Sequence, residues 1–211
     1  MYRFAAAVTA MLVAAVASMV AGCQPSSPPP STPTGPPPSS SPASPVPTPT
    51  YLCTPEAGGE ETPCSQHQYD EMNAKDALYA EAETVYREFF AESVRISRDG
   101  GVDQPTQTLL DTTAGDYLDN MMDIFISLHN RGVRAEGKDP RLTIARLPGV
   151  SKAGSIVALT VCVDAREWAF FTGSEQTSQG RVGIDEVHFA RFDRDLKIIG
   201  ADGREAVSCD L

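Results

Sequence analysis

The side chains with the most definite chemistry in this sequence are its five cysteines, Cys23, Cys53, Cys64, Cys162 and Cys209. The first 22 residues have one positive charge, at Arg3, followed by an apolar core and small residues. That pattern is typical of a secretory signal peptide. Exported cysteines form disulfides in an oxidising compartment, and an odd number leaves one for a different role.

Cys23 follows the apolar segment directly, in the sequence Val20-Ala21-Gly22-Cys23. An aliphatic residue, two small residues and a cysteine resemble the lipobox of bacterial lipoproteins. The resemblance implies cleavage before Cys23 and a diacylglyceryl group on its sulfur, so that acyl chains such as palmitate anchor the mature chain. An ordinary cleaved signal peptide and an uncleaved membrane helix are the alternatives, although an apolar segment of about 17 residues is short for a membrane span.

A low-complexity tether follows the predicted lipidation site. Residues 24–50 are mostly Pro, Ser and Thr, without a charged or aromatic side chain. Such a segment cannot bury enough apolar surface to fold, and its prolines favour an extended spacer. The predicted organisation is a signal peptide (1–22), a lipidated and disordered tether (23–50), a cysteine-containing lead-in loop (51–67) and a folded domain (68–211).

Four cysteines remain for disulfides, and four allow three pairings. We favour Cys53–Cys64, because both flank a short loop rich in Pro and Gly, and Cys162–Cys209, because both lie in segments typical of strands. The sequence has no Cys-x-x-Cys, and its three histidines are scattered, which argues against a metal site.

The charge of the chain restricts its partners. The formal net charge is −11. This charge argues against nucleic acid as a partner, because nucleic-acid binding needs a basic surface. It also argues against the folded domain lying on anionic lipid.

The first half of the folded region predicts helices. Ser65 and Gln68 form a capping-box pattern at the start of a long helix. Its apolar positions, Leu78, Ala82, Val85 and Phe89, recur with helical spacing. The glycines at 100 and 101 end it, and a second amphipathic helix begins at Thr113–Asp116 and ends at Gly132.

The second half predicts strands, so the fold class is α+β. Residues 141–147 alternate, with Leu142, Ile144 and Arg146 on one face, and residues 156–164, 168–172 and 184–192 are further strands. We expect a polar loop at 173–180 and a hairpin turn at 193–195. The last strand begins at Leu196, with an interruption at 201–203, and ends near Cys209.

This order of elements resembles the nuclear-transport-factor-2-like, or ketosteroid-isomerase-like, cone fold. Within it, the chain is similar to small secreted lipoproteins of high-GC Gram-positive bacteria. Residues 86–90 (YREFF) on the first helix and 158–164 (ALTVCVD) on a central strand carry the resemblance. It implies N-terminal helices packed on a bent antiparallel sheet over residues 68–209; a cystatin-like domain is the rival.

The resemblance also implies a pocket in which carboxylates, tyrosines or histidines act as acid and base. The corresponding residues here are Tyr86, Asp116, Asp164 and His188. An aspartate serves as base only if burial or a neighbour raises its pKa. The simpler interpretation gives Tyr86 and His188 packing or surface roles and lets Asp164 end a strand.

The sequence contains no nucleophile elbow, phosphate-binding glycine loop or zinc-binding helix motif. We therefore expect a non-catalytic binding or accessory module, lipid-anchored at the extracytoplasmic face of the bacterial membrane, without a cofactor or metal. Its partner would be an envelope protein, a polymer or a small apolar ligand, and its open sheet face would suit a homodimer. The alternative is a carrier of small apolar ligands or a pocket enzyme of the ketosteroid-isomerase-like class.

Overall fold

The computed structural model describes residues 50–149, 152 and 154–211. After a short N-terminal hairpin these residues form helices and then antiparallel strands, which confirms the predicted α+β class. The predicted signal peptide, the lipidation site at Cys23 and all of the tether except residue 50 lie outside the described residues.

The described residues form three helices, α1 (Gln66–Asp99), α2 (Gln107–Thr112) and α3 (Gly115–Arg131). The predicted capping box opens α1, because the Ser65 amide donates to the Gln68 side chain at 2.9 Å and the Ser65 hydroxyl accepts from the Gln68 amide. Gly100 ends α1 and Gly132 ends α3, both in the left-handed conformation. The predicted helix ends are therefore confirmed.

Nine strands lie in the described residues, in three antiparallel sheets. The first two strands form a hairpin, a second sheet has the order β3–β6–β7, and the largest has the order β4–β5–β8–β9. The strands are β1 (Tyr51–Cys53), β2 (Thr62–Cys64), β3 (Val133–Gly137), β4 (Arg141–Arg146), β5 (Val157–Asp164), β6 (Trp168–Thr172), β7 (Glu175–Gln179), β8 (Val182–Phe192) and β9 (Asp195–Ala206).

The strand predictions need correction at four places. The predicted lead-in loop at 51–67 contains β1 and β2, and β3 lies outside all of the predicted strands. The expected polar loop at 173–180 contains β7, whose five residues are all exposed. An exposed strand lacks the apolar alternation that identifies strands in a sequence. The expected interruption at 201–203 is also absent, because Asp202 pairs with Glu186 and Gly203 pairs with Asp185 within a continuous β9.

The two larger sheets meet where β5 leads into β6 and β7 leads into β8. The Ala165 amide donates to the Arg181 carbonyl and the Gly180 amide to the Trp168 carbonyl, both at 2.9 Å. A Cβ on Gly180 would lie 2.0 Å from the Ala165 carbonyl oxygen. Only glycine therefore allows the two strands to approach at this corner.

One face of the four-stranded sheet packs on the helices and forms the core. Its buried members alternate along β5 and β8, and Leu142 and Ile144 of β4 pack against them on the predicted face. Each fully buried aliphatic or aromatic side chain contributes about 1.5–3 kcal/mol. The buried residues of this core are Tyr79, Ala82, Tyr86, Phe89, Ile96, Leu109, Met122, Phe125, Val157, Leu159, Val161, Val187, Phe189, Leu196 and Ile198.

Both predicted disulfides are confirmed. Cys53–Cys64, the hairpin disulfide, joins β1 to β2. Cys162–Cys209, the sheet disulfide, ties the C-terminal segment to the outer face of the large sheet, where Cys162 is fully buried. The N-terminal hairpin is therefore closed on itself rather than joined covalently to the sheet.

Candidate functional site

The four predicted pocket residues lie in different places. Tyr86 lies on α1 in the core, facing the inner side of the large sheet. His188 pairs with Ala158, so it shares the outer face of that sheet with Asp164. Asp116 is exposed in the first turn of α3. The structure thus brings none of the other three to Tyr86.

Two of these residues contact ionic side chains on the outer face of the sheet. Asp164 accepts from the Arg166 guanidinium at 2.7 Å, which lowers the pKa of Asp164 to about 2. The buried His188 places its Nε2 3.6 Å from Asp202, a carboxylate that Lys152 also binds. The Nδ1 atom of His188 has no partner among the described residues. These contacts fit packing on the outer face better than acid–base chemistry.

A different carboxyl group, Asp185, lies on the inner face close to Tyr86. It pairs with Val161, whose side chain belongs to the core. Burial raises the pKa of Asp185. Burial also raises the pKa of Tyr86 and Tyr117, and the nearby negative charge of Asp185 raises both further. We call the site formed by Asp185 with Gly183 and Gly203 the inner cleft.

Two glycines make room at the inner cleft. A Cβ on Gly203 would lie 2.2 Å from Asp185 Oδ1, whereas the space above Gly183 is open. The depression around Asp185 has a volume of about 480 Å³ and opens to solvent beside the Arg181–Glu205 ion pair (2.9 Å). A carboxyl group of raised pKa beside two phenols can exchange a proton with a bound molecule.

A larger cavity, of about 1000 Å³, lies between the N-terminal hairpin, the first half of α1 and the end of β4. We call it the hairpin groove. Its apolar lining includes Pro55, Pro63, Met72 and Pro148, and its charged lining is Glu56, Glu71, Lys75, Asp76 and Arg146. A concave surface with apolar walls and a few convergent polar groups is typical of a ligand site.

Five side chains at one side of the hairpin groove form a connected set, which we call the groove cluster. Four of them line the groove, and Tyr79 lies behind Glu56 and Lys75, in a smaller adjoining cavity of about 210 Å³. The Tyr79 hydroxyl donates to Glu56 Oε1 at 2.6 Å, and Lys75 Nζ lies 3.6 Å from the same oxygen. Lys75 and Arg146 lie 5.6 and 4.8 Å from the centre of the Tyr79 ring, and Arg146 also binds Asp76. Burial, and then Glu56, raise the pKa of Tyr79, while Arg146 opposes the shift.

The groove cluster is assembled from three separate segments. Lys75 and Tyr79 are one helical turn apart on α1. Arg146 ends β4 on the same inward face as Leu142 and Ile144. Glu56 comes from the exposed loop between β1 and β2. Because these segments are distant in the sequence, no local motif marks the groove.

The position of Asp185 can be recognised from the sequence. Residues 185, 187 and 189 alternate on one face of β8, and the other two, Val187 and Phe189, are fully buried. A carboxylate in an otherwise apolar alternation is costly to bury. This position therefore marks a candidate site that the sequence analysis missed.

No group of three or more His, Cys, Asp or Glu in the described part of the chain could hold a metal ion. Of the helices in residues 50–149, 152 and 154–211, none has both the length and the apolar character needed to cross a membrane.

Comparisons with known proteins do not show a family for this chain. No protein-family model matches the chain, and no curated protein matches it. Among solved structures, the chain is similar to the intermembrane space region of the chloroplast protein ARC6, at 13% identity and a TM-score of 0.44, over 59% of this chain and 95% of that one. It is also similar to a de novo designed β-sheet protein, at 14% identity and a TM-score of 0.33, over 61% of this chain and 94% of that one. Both likenesses are too distant to bear on function.

Proposed function

We propose that the protein is a lipid-anchored extracytoplasmic module that binds a ligand in the hairpin groove. The anchor rests on the sequence Val20-Ala21-Gly22-Cys23 at the end of an apolar N-terminal segment. Residues 24–50 would hold the folded domain away from the bacterial membrane as an extended spacer. The groove is formed largely by the residues that directly follow this tether in the sequence.

The observation that carries the binding proposal is the size and lining of the hairpin groove. At about 1000 Å³ it is large enough for a ligand of several chemical groups. The interior between the helices and the large sheet is instead filled by packed side chains. That contrast favours a partly polar ligand in the open groove over a small apolar ligand inside the domain.

The strand order supports the finer proposal of a cone-like domain. β3 and β4 are consecutive, as are β5 and β6 and then β7 and β8, and each pair contributes one strand to each of the two larger sheets. One long bent hairpin would consist of the pairs β3–β6 and β4–β5. A second would consist of the pairs β6–β7 and β5–β8, bent at the same corner. In this proposal four long strands form one bent sheet around α1 and α3.

A second candidate function, a pocket enzyme, is favoured by the inner cleft. There Asp185 would act as a general base for a bound molecule. The raised pKa of Asp185 and the open space above Gly183 support this alternative. Asp185→Asn would then abolish turnover and leave ligand retention in the hairpin groove unchanged.

The binding proposal is tested by blocking the groove. The full chain, exported by a bacterial host and purified in mild detergent, is incubated with the low-molecular-weight fraction of an enzymatic digest of the host envelope. Thr62→Trp fills the groove from the exposed strand β2, and Ser178→Trp is the matched control on the exposed strand β7.

Mass spectrometry then identifies the molecules retained after washing. We expect the wild-type chain and Ser178→Trp to retain the same molecule and Thr62→Trp to lose at least nine-tenths of it. Equal retention by all three, or retention by none, contradicts the proposal.

A further inference from the structure

The hairpin groove contains a carboxylate of the protein itself. Glu56 belongs to the loop between β1 and β2, in which residues 54–61 are all exposed. Glu56 lies within a turn closed by a hydrogen bond from the Gly58 amide to the Pro55 carbonyl (2.8 Å), and its carboxylate meets Tyr79. The carboxylate thus reaches from a surface loop to a hydroxyl whose residue is only 2% exposed.

From this contact we infer that the groove cluster is a carboxylate-binding site, and that Glu56 occupies it until the carboxyl terminus of a peptide ligand takes its place. The inference rests on the proposed binding function of the hairpin groove and names the ligand class. Glu56 is then an internal substitute for the ligand, and the loop that carries it is an autoinhibitory segment.

The donors of the groove cluster are held in place whether or not Glu56 is present. The Tyr79 ring is buried in the core, and the Lys75 and Arg146 cations flank it. Lys75 Nζ also donates to the Ile156 carbonyl at 3.4 Å, and Arg146 is fixed by Asp76. Because the Tyr79 hydroxyl and the Lys75 ammonium group are already fixed, they lose little conformational entropy when they bind a carboxylate oxygen together.

The charges of the groove cluster complement one further carboxylate. Without Glu56, the cations Lys75 and Arg146 face only Asp76, so the cluster has a net positive charge. Glu71 also lines the groove, but it lies 3.2 Å from His67 on the exposed side of α1. A ligand carboxylate therefore replaces Glu56 without adding a repulsive charge next to Tyr79.

The exposure of the pair allows exchange. The side chains of Glu56 and Lys75 are 36% and 38% exposed. Ion pairs this open to water contribute little to stability, so an external carboxylate displaces Glu56 at a small cost. The β1–β2 hairpin keeps its paired strands and its disulfide while the loop between them moves.

A peptide fits the rest of the groove better than an acidic sugar. The lining combines Pro55, Pro63 and Met72 with the amide of Gln68, and the described residues that line the groove include no aromatic ring on which a sugar would stack. Apolar side chains and peptide amides of a ligand match this mixture. The present occupant, the segment around Glu56, is itself a peptide.

The test uses the full chain in mild detergent with acetyl-dialanine as the probe. Glu56→Gln removes the internal carboxylate and keeps its shape, and Glu61→Gln is the matched control in the same exposed loop, outside the groove lining. We expect Glu56→Gln to bind acetyl-dialanine about five-fold more tightly than the wild type or Glu61→Gln, by calorimetry. The amide-capped peptide should bind Glu56→Gln no more tightly than the wild type. Adding Lys75→Met to Glu56→Gln should abolish the gain in affinity for acetyl-dialanine.

Three outcomes overturn the inference. The first is no gain for Glu56→Gln over Glu61→Gln, which would make Glu56 a structural contact only. The second is an equal gain for the amide-capped peptide, and the third is tighter binding of glucuronate than of the peptide. If any of these occurs while Thr62→Trp still abolishes retention, the proposed function stands without the peptide-carboxylate assignment; if Thr62→Trp has no effect, the proposed function fails independently.

Discussion

Tyr79 and Glu56 should stabilise the fold as a pair, and a double-mutant cycle measures how strongly. Tyr79→Phe removes the hydroxyl that lies 2.6 Å from Glu56 Oε1 and keeps the ring in the core. A hydrogen bond to a charged group contributes about 1.5–3 kcal/mol. Because the Glu56 side chain is 36% exposed, water replaces part of this, and we expect a coupling energy of about 1 kcal/mol.

The cycle is measured by urea unfolding of the wild type, Tyr79→Phe, Glu56→Gln and the double variant. We expect each single change to lower the free energy of unfolding by about 1 kcal/mol, and the double change to lower it by clearly less than the sum. Tyr69→Phe is the control, because its ring packs on Tyr51 at 5.2 Å while its hydroxyl has no partner among the described residues. Additive effects of the two single changes, within ~0.3 kcal/mol, would refute the view that these groups act as one cluster.

Three further predictions concern other parts of the chain. The raised pKa of Asp185 means that the folded state binds the proton more tightly than the unfolded state, so stability falls as pH rises from the ordinary aspartate pKa to the raised value. Asp185→Asn should therefore raise the free energy of unfolding at pH 7 by on the order of 1 kcal/mol, a value reduced because Asp185 is only partly buried. Near pH 3 the substitution should not raise it. A gain of equal size at both pH values would contradict this. Replacing both cysteines of the sheet disulfide, 47 residues apart, by alanine should cost about 4 kcal/mol in urea unfolding, against about 3 kcal/mol for the hairpin disulfide, 11 residues apart; the reverse order would refute the loop-entropy reasoning. Cys23→Ser should move the chain from the detergent phase to the aqueous phase in a phase-partition assay, and unchanged partition would exclude lipidation of Cys23.

Local sequence signals predicted much of the fold. The capping box at Ser65, the glycines that end α1 and α3, and the turn at 193–195 depend on neighbouring residues only, and the structure has all three. The hairpin disulfide was predictable because Cys53 and Cys64 flank one short loop. The sheet disulfide was predicted from two segments typical of strands; Cys162 lies in β5, whereas Cys209 lies beyond the end of β9 at Ala206.

Most of the missed strands have no buried residue, although β3, in which Val133 and Ala135 are buried, was missed as well. β7 has five exposed residues, so it shows neither alternation nor an apolar run. The end of β9 has Asp202 and Gly203, which look like a turn, but their pairing with Glu186 and Asp185 of β8 overrides that local preference.

The candidate sites were harder to predict than the fold. Two of the residues that the resemblance nominated, Asp164 and His188, lie on the outer face of the large sheet, away from Tyr86. The two-residue period of a strand puts Asp185, which was not nominated, on the inner face. The groove cluster joins Glu56, Lys75 and Arg146, which only the packed tertiary structure brings together. Spacing in the sequence does not report such contacts.

The most direct test of the binding proposal is to map where the retained molecule contacts the protein. The full chain, labelled with ¹⁵N in detergent, is titrated with the molecule that the wild type retains from the envelope digest, and amide shifts are followed. The account predicts that the largest shifts fall on the hairpin groove, at Glu56, Met72, Lys75 and Arg146. Largest shifts at Asp185, Gly183 and Gly203 would instead place the ligand in the inner cleft and contradict the account.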